Sequence, residues 1–113
     1  MIKIYHNPRC SKSRAGLELV EKSGKEFEII EYLKNTPSKD ELKDVLGLLN
    51  IKAEDLIRKN EADWKDNFKD KDLTEDQLIE AMVKFPKLIE RPIVINGKKA
   101  VIGRPPENIS EIL

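Results

Sequence analysis

Sulfur chemistry is almost absent from this chain of 113 residues, which has a single cysteine, Cys10, and therefore no internal disulfide. A lone thiol fits a reducing compartment, and a chain of this length buries roughly 60 to 70% of its unfolded surface without staples. Long apolar runs are missing too. Nothing approaches the roughly 20 apolar residues of a membrane span, and the start Met1-Ile2-Lys3 already reads as strand rather than leader. A cytoplasmic chain with no membrane partner is expected. Excess charge is lacking as well: 21 Lys and Arg balance 21 Asp and Glu, so there is no basic field to hold nucleic acid. One histidine, His6, and one cysteine are too few for a metal site. No repeat, low-complexity tract or linker divides the sequence, so one domain over residues 1–113 is expected. Arginine is scarce beside lysine, five against sixteen: Arg9, Arg14, Arg58, Arg91 and Arg104. A chain whose default cation is Lys keeps Arg for positions that want a planar fork, which binds oxyanions through paired donors.

What is present begins with Ile2 to Tyr5, a short apolar strand. A Pro-containing turn follows, and Leu17, Leu19 and Val20 mark a helix from Ser11 to about Ser23, stopped by Gly24. Phe27 to Tyr32 reads as a second strand, which a helical crossover makes parallel to the first. Asn35-Thr36-Pro37 breaks the chain. Helical signals then run from about 38 to 85. Ser38 with Glu41 caps a helix carrying Leu42, Val45, Leu46 and Leu49, and Ala53 to about Asn60 is a second, short helix. Trp64 and Phe68, four apart, suit a helical turn within 63–72. Thr74 with Gln77 is another capping box, opening a helix that Pro86 ends. Arg91 to Ile95 is extended, Asn96-Gly97 signals a hairpin, and Lys99 to Ile102 pairs back antiparallel. Pro105-Pro106-Glu107 introduces a last short helix from Asn108 to Leu113. The fold class is α/β, a thioredoxin-like fold with a mixed four-stranded sheet and a helical insertion between the second and third strands.

Cys10 stands at the junction of strand, loop and helix. Backbone N–H groups at a helix start lack intrahelical partners and favour an anion, either a thiolate or a docked oxyanion. A free Cys is often a small buried hydrophobe. Here the flanking Pro8-Arg9 and Ser11-Lys12-Ser13-Arg14 are polar and cationic, surroundings that favour the thiolate. Cys10 to Ser13 has the C-x-x-S form, a redox motif without its second sulfur, so an oxidised Cys10 has no resolving partner nearby. His6 either serves the sulfur, by favouring the thiolate or relaying a proton, or is an ordinary loop residue. Asn7 either donates to an anion or holds the Pro8 turn.

Tyr5-His6-Asn7-Pro8-Arg9-Cys10 with Ser13-Arg14, Leu56-Ile57-Arg58-Lys59-Asn60, Arg91-Pro92-Ile93-Val94 and Gly103-Arg104-Pro105 together resemble, in order and spacing, the ArsC-type arsenate reductases that use glutathione and glutaredoxin. Asp40-Glu41-Leu42 and Thr74 to Ile79 extend the likeness over nearly the whole chain. Arg9 and Ser11-Lys12 depart from the commoner small residue and Gly-Thr of the motif, adding charge and bulk.

The resemblance implies that Cys10 is the nucleophile, aided by His6, and that Arg58, Arg91 and Arg104 bind the oxyanion, with Asn7 and Ser13 as further contacts. Pro92 matches the cis-proline beside the thiol of such folds. Each arginine has an ordinary alternative: Arg58 as a snorkelling surface residue, Arg91 paired with Glu90, Arg104 capping the last turn. A guanidinium contact with an oxyanion is worth on the order of 4 kcal/mol at an effective dielectric of ~20, before desolvation. A helix terminus adds only about 0.3 to 1 kcal/mol. The arginines therefore dominate binding. The function implied is reduction of arsenate, or a similar oxyanion, to arsenite through a Cys10 adduct, in a monomer with no bound cofactor or metal that draws on glutathione and glutaredoxin as external reductants. Two rivals stand beside it. The related Spx group binds RNA polymerase as a transcriptional regulator, usually with the C-x-x-C switch that Cys10 to Ser13 lacks. A monothiol thioredoxin-like deglutathionylase could use the same site, with glutathione's carboxylates on the arginines.

Overall fold

The computed structural model describes residues 1–113, which divide into two compact units, Met1–Asn35 with Arg91–Leu113, and Thr36–Glu90. The first unit holds a four-stranded sheet. Strand β1 is Ile2–Tyr5, helix α1 is Ser11–Lys22, strand β2 is Phe27–Ile30, and a hairpin of β3, Ile93–Asn96, and β4, Lys99–Ile102, completes it. The strand order is β2-β1-β3-β4, with β1 parallel to β2 and antiparallel to β3. The central strands are the apolar ones. Ile2, Ile4 and Val94 are buried with Val20 of α1 and Ile109 near the C-terminus, in one cluster joined by Leu17, Phe27 and Val101. Burying each such side chain is worth about 1.5 to 3 kcal/mol, enough for four-residue strands to hold their places.

The hairpin differs from expectation by one position. Asn96 is the last residue of β3, paired with Lys99, and Gly97 at φ +64° takes the first loop position, as in a II′ turn. The Asn96 side chain is thereby released from the turn and donates to the Ile112 carbonyl at 2.6 Å, tying the sheet to the closing segment. That segment is a 3₁₀ helix over Pro106–Ile112, starting two residues earlier than expected. Strand β2 stops at Ile30 instead of reaching Tyr32, because 32–34 form a turn in which the Lys34 N–H bonds the Glu31 carbonyl at 2.9 Å.

The second unit carries α2, Lys39–Leu49, α3, Ala53–Leu56, α4, Ala62–Asn67, and α5, Glu75–Lys84, closed by a 3₁₀ turn at Pro86–Leu88. Both proposed caps are formed. The Ser38 hydroxyl accepts from the Glu41 N–H at 3.1 Å, and Thr74 and Gln77 exchange bonds of 2.8 and 3.2 Å. Trp64 and Phe68 stack at 5.6 Å, with Phe85 edge-on to Phe68 at 5.7 Å. The expected helix from Ala53 to Asn60 is the main correction. It ends at Leu56 because Ile57 bridges to Ile89, the Arg58 N–H bonds the Leu88 carbonyl at 2.8 Å, and the Glu90 N–H bonds the Leu56 carbonyl at 2.9 Å. Pairing with a segment thirty residues away outcompetes one more helical turn. No helix is long and apolar enough to cross a membrane.

Candidate active site

Cys10 is the N-cap of α1, in extended conformation and half-buried. The chain arrives from β1, whose last sheet bond is the His6 N–H to the Ile30 carbonyl at 2.9 Å. The loop is then braced from within. Asn7 Oδ1 accepts from the Arg9 N–H at 3.0 Å, the Asn7 carbonyl accepts from the Cys10 N–H at 3.0 Å, and Arg14 donates to the Pro8 carbonyl at 2.9 Å. The first helical bond runs from the Arg14 N–H to the Cys10 carbonyl, so the amides of Ser11, Lys12 and Ser13 open the helix without intrahelical acceptors. The first turn contains no acidic residue to compete for them.

Arg104 faces the sulfur. Its Nη2 lies 3.4 Å from Cys10 Sγ, and its Nε donates to the Arg91 carbonyl at 2.8 Å. The bond to Arg91 fixes the plane of the guanidinium, and the remaining edge is presented to the thiol, an arrangement that suits a thiolate or the oxyanion bound to it. Arg91 precedes Pro92 across a cis peptide bond, and the Pro92 carbonyl accepts from the Gly103 N–H at 2.8 Å. The Pro92 ring is itself wedged. A Cβ on Gly16 of α1 would fall 2.7 Å from Pro92 Cγ, and one on Gly103 would fall 2.8 Å from it. Two glycines therefore let α1 and the end of β4 close on the proline, carrying Cys10, Arg91 and Arg104 into one locale.

Ser13 is corrected. It was expected to contact the oxyanion, yet it is fully buried, and its hydroxyl accepts from the Asn7 N–H at 2.9 Å and bonds His6 Nδ1 at 2.7 Å. Its place is behind the loop, holding it. His6 is also buried, its ring partner is Ser13, and no bond joins it to Cys10. Burial pushes its pKa below the ordinary 6.5, against a smaller upward pull from Glu31, so the ring is neutral at neutral pH. Of the two roles weighed for Asn7, holding the turn is the one seen. Arg58 lies in the other unit, where it is held by Glu61 at 2.8 Å and Glu90 at 3.5 Å and is largely buried, which removes the snorkelling alternative. Neither pair is part of the sequence reading: Glu61, three residues on, is a readable local partner, whereas Glu90, far along the chain, is not. No three His, Cys, Asp or Glu side chains gather as a metal site.

A mixed sheet, a thiol at the start of the first helix and a cis-proline packed on that helix define a thioredoxin-like protein, one whose sulfur meets a guanidinium instead of a second thiol. The sequence profile of the ArsC family matches residues 5–112. The chain belongs to the ArsC family. It is 48% identical over 114 aligned residues to an Escherichia coli K12 protein named as the uncharacterized protein YfgD, covering 99% of this chain and 96% of that one. It is 43% identical to an arsenate reductase of Neisseria meningitidis, covering 99% and 97%. The solved structure of an arsenate reductase from Vibrio cholerae superposes with a TM-score of 0.94 at 45% identity, covering 99% of this chain and 97% of that one.

Proposed function

We propose that the protein is an arsenate reductase in which Cys10 attacks the arsenic. The observation that carries the reading is the Arg104 guanidinium 3.4 Å from Cys10 Sγ, anchored through the Arg91 carbonyl and next to the unpaired amides that open α1. The names of the relatives support the oxyanion. In the first step an S–As bond forms, one As–O bond breaks, and the oxygen leaves as water, with arsenic still in the +5 state. Glutathione then attacks the Cys10 sulfur. An S–S bond forms, the S–As bond breaks with its electron pair remaining on arsenic, and the proton of the thiol passes to the departing arsenite. A glutaredoxin thiol removes glutathione from Cys10. The lone cysteine motivates the outside thiols, because two electrons are needed and the chain stores one sulfur. Arg91 and Arg104 bind the oxyanion; the same role for Arg58 rests on its motif, Leu56 to Asn60. Phosphate shares the charge and nearly the shape of arsenate, so selectivity comes from the reducibility of arsenic. The reductants are those of a reducing compartment such as the cytoplasm, and the enzyme works as a monomer.

The test is arsenate-dependent arsenite release with glutathione and glutaredoxin. The wild type turns over, and Arg91→Lys loses about 10-fold or more in kcat/KM, because an ammonium cannot replace a two-donor fork. A wild type that releases no arsenite ends the proposal.

A further inference from the structure

A cavity adjoins the thiol loop. Between His6-Asn7-Pro8-Arg9 on one side and Glu31, Leu33 and Lys34 on the other lies a half-open pocket of about 310 Å³. That is within the range of roughly 300 to 1,000 Å³ that holds small molecules. We infer that this pocket binds the thiol co-substrate, a zwitterionic tripeptide thiol of the glutathione class, and so delivers the second sulfur to Cys10; this rests on the reading of the chain as a thiol-dependent reductase.

The lining matches that ligand group by group. Arg9 and Lys34 supply two cations and Glu31 one anion, the complement of two carboxylates and one ammonium. Pro8 and Leu33 offer apolar surface for the methylene stems between those charges. The walls are preformed. Arg9 is held in the Asn7 turn, and the Lys34 and Asn35 N–H groups both bond the Glu31 carbonyl at 2.9 Å. Lys34 Nζ is 3.9 Å from a Glu31 carboxylate oxygen and highly exposed, a loose pair that a stronger carboxylate ligand can open. Arg9 takes part in no ion pair, and its side chain is exposed. The pocket reaches Cys10 through the backbone: the lining residue Arg9 precedes it, and the carbonyl of Asn7, also in the lining, accepts the Cys10 N–H at 3.0 Å. The buried His6 ring forms part of the wall, so its packing on Ser13 shapes this pocket and is not spent on Cys10. The excess cation over Glu31 explains the departure at position 9, where a small residue would leave one carboxylate without a partner.

The experiment titrates the isotope-labelled Cys10→Ser protein with S-methylglutathione, which cannot form a disulfide, and follows backbone amide shifts. Saturable shifts centred on Asn7, Arg9, Glu31, Leu33 and Lys34 are expected. Lys34→Gln should weaken that binding about fivefold, the loss of one charge-assisted contact, and Leu33→Trp, which fills the pocket, should abolish it. In turnover, Lys34→Gln should raise the KM for glutathione by a similar factor and leave the KM for arsenate within about twofold. Shifts confined to the face of Arg91 to Ile102, no shifts at all, or a Leu33→Trp protein that binds normally would each overturn the pocket. Binding in the pocket by a wild type that never reduces arsenate would uphold the pocket and sink the arsenate reading instead, so the two fail separately.

Discussion

Replacing glycine by alanine at three positions should change stability with opposite signs, and the signs test whether α1 and the end of β4 close on Pro92 as described. At Gly47, within α2, a Cβ meets nothing within 4 Å. There the helix propensity gain acts alone, and Gly47→Ala should stabilise by about 0.5 to 1 kcal/mol. At Gly16, within α1, the same gain is opposed by contacts of 2.7 Å to Pro92 Cγ and 2.8 Å to Ile109 Cδ1. Neither neighbour yields easily, because the proline is a ring on a buried strand end and Ile109 is fully buried. Overpacking of this kind costs about 1 to 3 kcal/mol, so the net loss at Gly16 is about 0 to 2.5 kcal/mol. At Gly103 there is no helix to compensate and the contacts are 2.8 Å to both neighbours, so the full cost of about 1 to 3 kcal/mol appears. For a chain of this size 1 kcal/mol moves Tm by about 4 °C. Thermal and urea unfolding followed by circular dichroism should rank the variants Gly47→Ala above wild type, then Gly16→Ala, then Gly103→Ala. The two destabilised variants should also lose reductase activity, since each shifts Pro92 and with it Arg91. If Gly103→Ala were as stable and as active as wild type, the wedge would be refuted.

Ser13→Ala removes the hydroxyl that serves both the Asn7 N–H and His6 Nδ1, so urea unfolding should show a loss of about 1 to 3 kcal/mol. An unchanged midpoint would mean the loop is held by something else. Arg104→Lys keeps the charge but cannot bond the Arg91 carbonyl and face Cys10 Sγ together, and should slow iodoacetamide alkylation of Cys10 and lower kcat/KM for arsenate by about 10- to 100-fold. Equal alkylation rates would separate Arg104 from the thiolate. For His6 the folded pKa lies below the unfolded value of 6.5 because burial disfavours the charged ring. The unfolded chain therefore binds the proton first, and this contribution to stability is complete above pH 6.5 and is lost as pH falls below it. His6→Asn should abolish that part of the slope between neutral pH and the onset of carboxylate titration, and an identical slope in the variant would place the titration elsewhere.

Much of this was legible locally. Strand β1, the helix opening at Ser11, and the caps at Ser38 and Thr74 are each written within a few residues, and the structure forms them there. What was not legible is non-local. Helix α3 was read as far as Asn60 because nothing near Ile57 announces its pairing with Ile89. Asn96 looked like a turn residue because its partner, the Ile112 carbonyl, lies sixteen residues on. The resemblance puts Ser13 among the oxyanion contacts, whereas its full burial depends on how the loop folds back over it. Gly16 inside a helix carried a readable signal. A helical glycine costs about 1 kcal/mol and so invites the question of a close approach, yet only the fold answers it: Gly16 meets Pro92, whereas Gly47, equally helical, meets nothing.

The central claim is that Cys10 passes two electrons to arsenate and receives glutathione in return. Incubating the protein with arsenate and reduced glutathione while omitting glutaredoxin isolates that step, and intact-protein mass spectrometry reads it. The account predicts one glutathione on Cys10 for each arsenite released, none on Cys10→Ser, and none when arsenate is left out. Arsenite released without glutathione on Cys10, or the same modification with and without arsenate, would contradict it.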